Sequence, residues 1–197
     1  MGDDSTGHRT AEPPPPGAPK GRLEVEVVRH CDGWRGAGLD EGLLARAAEE
    51  ALRAALGAAE GTGSAPAEVA VVLSDDDEVR ALNATWRGKD EPTNVLSFPL
   101  AAGTLPPAGA RVLGDIVLAF ETVSAEARAK GLCLDDHAAH LVVHGLLHLI
   151  GHDHQTDDEA RAMEALERRV LAGLGIADPY HCEADSRNES ALTAGVR

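Results

Sequence analysis

Cysteine, positive charge and long apolar runs are all scarce in this chain, and each scarcity removes a class of protein. The three cysteines, Cys31, Cys133 and Cys182, are odd in number and lack disulfide or metal spacing, so they read as reduced thiols in a cytosol. Lysine and arginine total 18 against 33 aspartates and glutamates, a formal charge of −15. That excludes a general nucleic-acid coating protein, whose affinity would come from neutralising many phosphates. Any contact with nucleic acid must be local. Nowhere do 18 uncharged apolar residues run together, and MGDDSTGHRT at the N-terminus has no apolar signal core. Neither membrane crossing nor secretion is expected, and the chain reads as soluble and cytoplasmic, with no membrane or DNA partner.

Histidine is what the chain has in concentrated form. Six of its nine histidines fall between 137 and 154, inside an otherwise apolar helical run. His144 and His148 are four apart, so on a helix they share one face, with Cβ atoms roughly 6 Å apart. Gly151 then stops the helix and lets the backbone turn left-handed, so that His154 can return to the same point. Three neutral imidazoles suit zinc, one ion per chain, and leave a fourth tetrahedral position for water. That spacing, HxxxHxxGxxH, describes a catalytic arrangement better than a closed structural one. His140 reads as pocket wall rather than ligand, because a straight helix cannot wrap three residues so spaced around one small ion. Asp153, Asp157 or a backbone carbonyl could orient one of the ligands, and His137 and His152 are expected to be exposed.

Hydrophobic periodicity outlines the rest. Residues 1–20, with Pro13 to Pro16 in a row, read as a flexible arm, 21–176 as one folded domain and 177–197 as a flexible tail. RLEVEVV alternates as a half-buried strand, and a glycine-rich turn leads to a helix over 41–56 capped by Asp40. AEVAVVLS reads as a central strand. The acidic run Asp75 to Asp77 opens a helix to about Trp86, its charge matching the helix dipole better than a metal cluster. TNVLSFPL and VLGDIVLAF are two further strands, most easily paired antiparallel. Helices follow over 122–130, over the histidine run with Asp135 or Asp136 as cap, and over 157–174. The expected fold is α+β: a single domain with a mixed sheet of about four strands, about five helices, and a zinc site at the end of the histidine helix. Trp86, at the end of an amphipathic helix, has two readings: core, the commoner one for such a position, and a surface on which a base stacks.

Three segments, LNATWRGKDEPTNVLSFP (82–99), LGDIVLA (113–119) and HLVVHGLLHLIGHDH (140–154), followed by Met163 and Glu167, together resemble the YbeY family of bacterial metal-dependent endoribonucleases. The resemblance covers roughly 110 to 150 residues. It implies a zinc site on His144, His148 and His154 and makes Arg87 the functional, catalytic arginine. It also implies single-strand-specific cleavage of RNA in maturing the 3′ end of small-subunit ribosomal RNA, and a role in ribosome quality control. Ribosomal RNA, the ribosome or small-subunit proteins and an assembly GTPase are the partners it suggests. Asn94 stands where the family usually has aspartate, and His152 where it usually has tyrosine.

Zinc chemistry suits that reaction, since one ion can lower the pKa of its water and polarise a phosphoryl oxygen. Arg87 could hold a phosphate through two parallel hydrogen bonds, its alternative being a surface ion pair with Asp90 or Glu91. Asp115, Asp153 and His140 are candidates for proton transfer. Two rival readings remain: a zinc metalloprotease-like hydrolase, which would need glutamate where Gly145 stands, and a non-catalytic, zinc-stabilised ribosome assembly factor, which would need a fourth protein ligand.

Overall fold

The computed structural model describes residues 23–57, 66–100 and 111–180; the arm expected over 1–20 and the tail beyond 180 lie outside them. The described chain forms an α+β domain of four strands and six helices. In chain order these are β1 (Leu23–Arg29), α1 (Asp32–Gly36), α2 (Glu41–Leu56), β2 (Ala67–Ser74), α3 (Asp76–Arg87), β3 (Val95–Pro99), β4 (Arg111–Ala119), α4 (Phe120–Lys130), α5 (Leu134–Leu149) and α6 (Asp157–Gly173). The sheet order is β1-β2-β4-β3. β1 and β4 lie parallel to β2, which is central as its continuous apolar character implies. β3 pairs antiparallel with β4 and forms one edge, the connection the sequence favoured.

Strand alternation sends side chains to two unequal layers. On one face Val69, Val71 and Leu73 of β2 and Ile116 and Leu118 of β4 join Leu23 in the main core, which α2, α5 and α6 cover. On the other, Leu96, Val117 and Ala119 meet Val79 of α3 in a smaller cluster. The remainder of that second face is an open concavity lined by Glu24, Glu26, Glu68 and Asp115 among others. α5 is apolar almost all round, with ten buried residues, which suits a helix enclosed by other elements rather than one lying on the surface. Its half-buried positions His140, His144 and His148 form a single stripe.

The structure corrects four expectations. The described residues hold six helices rather than about five, because α1 occupies the glycine-rich segment read as a turn. Five residues show no periodicity; Trp34 holds them, fully buried, with its indole N–H donating to the Ser74 carbonyl at 2.8 Å. The histidine helix is capped at Cys133 with no side-chain bond, and Asp135 and Asp136 lie in its first turn, where their charge still suits the dipole. His137 is 2% exposed, since the stripe continues one turn back beneath α4, where Glu126 accepts from its Nε2 at 2.8 Å. Trp86 is 70% exposed, resting edge-on against Phe98. The acidic run behaves as expected: Asp75 caps α3 through the Glu78 N–H at 2.9 Å. Its neighbour Asp76 accepts from Thr122 N at 3.0 Å, while Glu121 accepts from Asp76 N at 2.9 Å, so α3 and α4 complete each other's first turns.

Candidate metal centre

The end of α5 brings the three expected histidines together. Gly151 has φ +95°, and its N–H donates to the His148 carbonyl at 3.1 Å. This closes the helix and turns the chain back. Asp153 accepts from the His154 N–H at 2.8 Å and from Gln155 at 2.6 Å, which fixes the turn that carries His154. Thr156 and Glu159 then form a reciprocal cap on α6. One nitrogen from each of His144, His148 and His154 lies within 4.8 Å of the others.

Glu167, on the buried face of α6, is 1% exposed. Its Oε1 accepts from His144 Nδ1 at 2.9 Å, its Oε2 from His140 Nε2 at 3.1 Å, and the Tyr180 hydroxyl also donates to Oε2. Stripping water from a carboxylate costs several kcal/mol. Three charge-assisted bonds at roughly 1.5–3 kcal/mol each offset that. Burial alone would raise the Glu167 carboxyl, but the bonds from His140, His144 and Tyr180 outweigh it and bring the group to about 2. Tyr180 moves the opposite way: burial and its bond to Glu167 push the phenol up.

An ionised carboxylate only accepts, so Nδ1 of His144 donates, and in the neutral ring the lone pair belongs to Nε2. That Nε2 faces His148 Nε2 at 3.1 Å. Two nitrogens on a tetrahedral zinc at about 2.0–2.1 Å lie a little over 3 Å apart, so the pair has the right separation to share one ion. Burial, followed by the nearby His144 and His154, lowers the pKa of His148 and favours the neutral form a metal needs. His140 stands outside the cluster because its Nε2 is committed to Glu167. The orienting group is therefore Glu167, not Asp153 or Asp157. The signal for it was a lone carboxylate on the inward stripe of Met163, Leu166 and Val170.

The other candidates lie elsewhere. Asp115 projects from β4 into the concavity on the opposite face of the sheet, with Glu24, Glu26 and Glu68, and is not brought to the histidines. Arg87 ends α3 in the opposite layer from α5, exposed, and among the described residues it has no ion-pair partner. Of the two partners a surface role offered, Asp90 accepts two bonds from Arg80 at 2.7 and 3.0 Å, and Glu91 forms no ion pair with Arg87 among the described residues. Gly145 explains what the site is not. A Cβ there would meet Ile116 at 2.8 Å and the Ser97 hydroxyl at 2.9 Å, so position 145 faces the sheet and has no room for a glutamate.

The family model of Endoribonuclease YbeY matches residues 37–175. An Endoribonuclease YbeY of Rhodopseudomonas palustris (strain BisA53) is 52% identical over 159 residues, covering 80% of this chain and 88% of the relative. That of Allorhizobium ampelinum is 48% identical over 164 residues, covering 81% and 95%. A solution structure of a Thermotoga maritima protein aligns with 79% of this chain and 97% of its own, at 24% identity and a TM-score of 0.48.

Proposed function

Because the chain belongs to the endoribonuclease YbeY family, we propose that it is a zinc-dependent endoribonuclease specific for single-stranded RNA. Its place would be the cytoplasm, in maturing the 3′ end of small-subunit ribosomal RNA and in ribosome quality control. Ribosomal or small-subunit proteins and an assembly GTPase are the proposed partners. The observation that carries the reading is the convergence of three imidazole nitrogens within 4.8 Å beside a buried carboxylate.

His144, His148 and His154 would hold one zinc per chain. When bound, the ion supplies a Lewis acid for a phosphoryl oxygen and a water of lowered pKa. Glu167 holds the His144 proton on Nδ1, so that the more basic Nε2 is the nitrogen aimed at the ion. Arg87 binds non-bridging phosphate oxygens through its planar fork, for which a point charge is a poor substitute. An RNA strand that serves both regions passes round the β3 edge, where Trp86 offers an exposed face to a base, and avoids the acidic concavity behind the sheet. Of the proton-transfer candidates, Asp115 is across the sheet and His140 is engaged by Glu167. Asp153, held ionised chiefly by the His154 N–H, is engaged as well, its second oxygen accepting from Gln155, so none of the three stands free as the base.

The peptidase alternative needs a glutamate where Gly145 packs against Ile116 and Ser97. The assembly-factor alternative needs a fourth ligand, and among the described residues the cluster has three. Metal analysis with a cleavage assay on labelled single-stranded RNA tests the proposal. The parent should carry one zinc and lose cleavage on chelation, and His148→Ala should carry well under one zinc and cleave nothing. Equal zinc in parent and variant sinks the ligand set, and RNA turnover indifferent to both chelation and His148→Ala sinks the enzyme reading.

A further inference from the structure

Beside the histidine cluster lies a cavity of about 210 Å³, with His144 and His154 on one side, Ala160, Met163 and Glu164 of α6 on another, and Tyr180 at its end. Its charge says which part of a nucleotide it can take. Glu164 and Glu167 both line it, so a phosphate is repelled and a hydrogen-bond donor is welcome. Most of its polar groups are already engaged: both Glu167 oxygens accept from histidines, and the Tyr180 hydroxyl donates to Glu167. Glu164 Oε2 accepts from Arg168 at 3.1 Å, while among the described residues its Oε1 accepts nothing. What the wall offers is therefore the Glu164 carboxylate, its Oε1 free and its Oε2 with one lone pair left beside the Arg168 bond, amid the apolar surfaces of Ala160 and Met163, the imidazole of His154 and the ring of Tyr180.

A flat group with apolar faces and N–H donors along one edge matches that wall, and a nucleobase is such a group. The space suits one base rather than a base pair. His144 and His154, which line one side of the cavity, are candidate metal ligands, so a phosphate held at the metal rather than in the cavity puts its own nucleoside at the cavity mouth. The geometry points to this cavity as the pocket for an unpaired base flanking the scissile phosphate, with guanine preferred because its adjacent N1–H and N2–H donors meet the Glu164 carboxylate. This rests on the endoribonuclease reading, and it adds a physical origin for single-strand specificity, since a paired base cannot enter.

The test is binding, which needs no turnover. Guanosine and uridine 5′-monophosphates are titrated by calorimetry into the zinc-loaded parent, Ala160→Leu and Glu164→Ala, with zinc content and Tm checked for each. The two ligands share a phosphate and ribose, so their ratio isolates the base. The parent should favour the guanine nucleotide about tenfold, the worth of one hydrogen bond to a charged group. Glu164→Ala should bring the ratio close to one, and Ala160→Leu, which fills the cavity, should weaken the guanine nucleotide about tenfold and the uridine nucleotide less. Equal affinities in the parent, or a preference that neither variant changes, overturns the pocket. So does an equal loss for both nucleotides in Ala160→Leu, which would place the ribose there instead. Should the parent bind with this preference yet cleave no RNA, the endoribonuclease reading fails separately.

Discussion

The histidine cluster and the Arg87 corner are built on opposite plans. Around the histidines the carboxylates are engaged: Glu167 takes three donors and Asp153 holds the turn, while α5 is enclosed on most sides and the Nδ1 atoms of His137 and His140 are buried without a partner. Around Arg87 the engagement stops one residue short. Arg80 takes both oxygens of Asp90, and Arg87 is left exposed with no ion pair among the described residues. The Arg80–Asp90 pair is itself exposed, and such pairs contribute roughly 0–1 kcal/mol to stability. It also occupies both oxygens of a carboxylate three residues from Arg87 in sequence. A metal ligand is useful when its orientation is settled in advance, whereas a cation that binds phosphate is useful when nothing has claimed it.

The hardest break of this contrast is Arg87→Ala. It should lower RNA cleavage by about 10²-fold, as for loss of two charge-assisted hydrogen bonds to one phosphate, while zinc content and Tm stay at parental values. Arg87→Lys should recover little of it. Single-turnover cleavage with metal analysis reads both, and a variant as fast as the parent removes Arg87 from the function. Glu167→Gln probes the other side. Its amide retains one acceptor and sets an N–H against the remaining histidine, so zinc affinity in competition with a chromophoric chelator should fall by about 10–100-fold. Unchanged affinity would mean that the cluster owes nothing to its brace.

The smallest expected effect concerns His137, buried at the far end of the stripe. Burial chiefly, with Lys130 and His140 in the same sense and Glu126 opposing, holds its pKa below the ordinary value of about 6.5. The unfolded chain then binds the proton more readily than the native one, so this contribution is present above about pH 6.5 and is lost as pH falls below it. Melting of the chelated protein should show a lower Tm at pH 5.5 than at 7.5, and His137→Gln should shrink the difference by a few degrees. His148 shifts in the same direction, so part of the slope should survive. An identical slope in the variant removes His137 from the account.

Periodic features were legible in the sequence. The strands, the long helices and the HxxxHxxGxxH spacing rest on patterns of two and of three to four residues, and they fall where those patterns put them. What was missed depends on contacts between distant residues. Glu167 is 23 positions from His144, and nothing local marks it except its place on an apolar stripe. Tyr180 lies past the expected end of the domain at 176, yet its hydroxyl reaches Glu167. His137 looked exposed because its own helix cannot reveal that α4 lies over it. Trp86 looked buried because the burying partner inferred from amphipathicity stops at Phe98.

The four strands of the described residues precede residue 120, whereas the three clustered histidines, Glu167 and Tyr180 fall between 144 and 180. A ribosome releases its product from the N-terminus, so the sheet and the arginine helix leave the exit tunnel before any of these imidazoles does. If the three histidines hold a metal as proposed, the nascent chain has its scaffold outside before it has its ligands, and a chain stalled before residue 154 carries only part of the set.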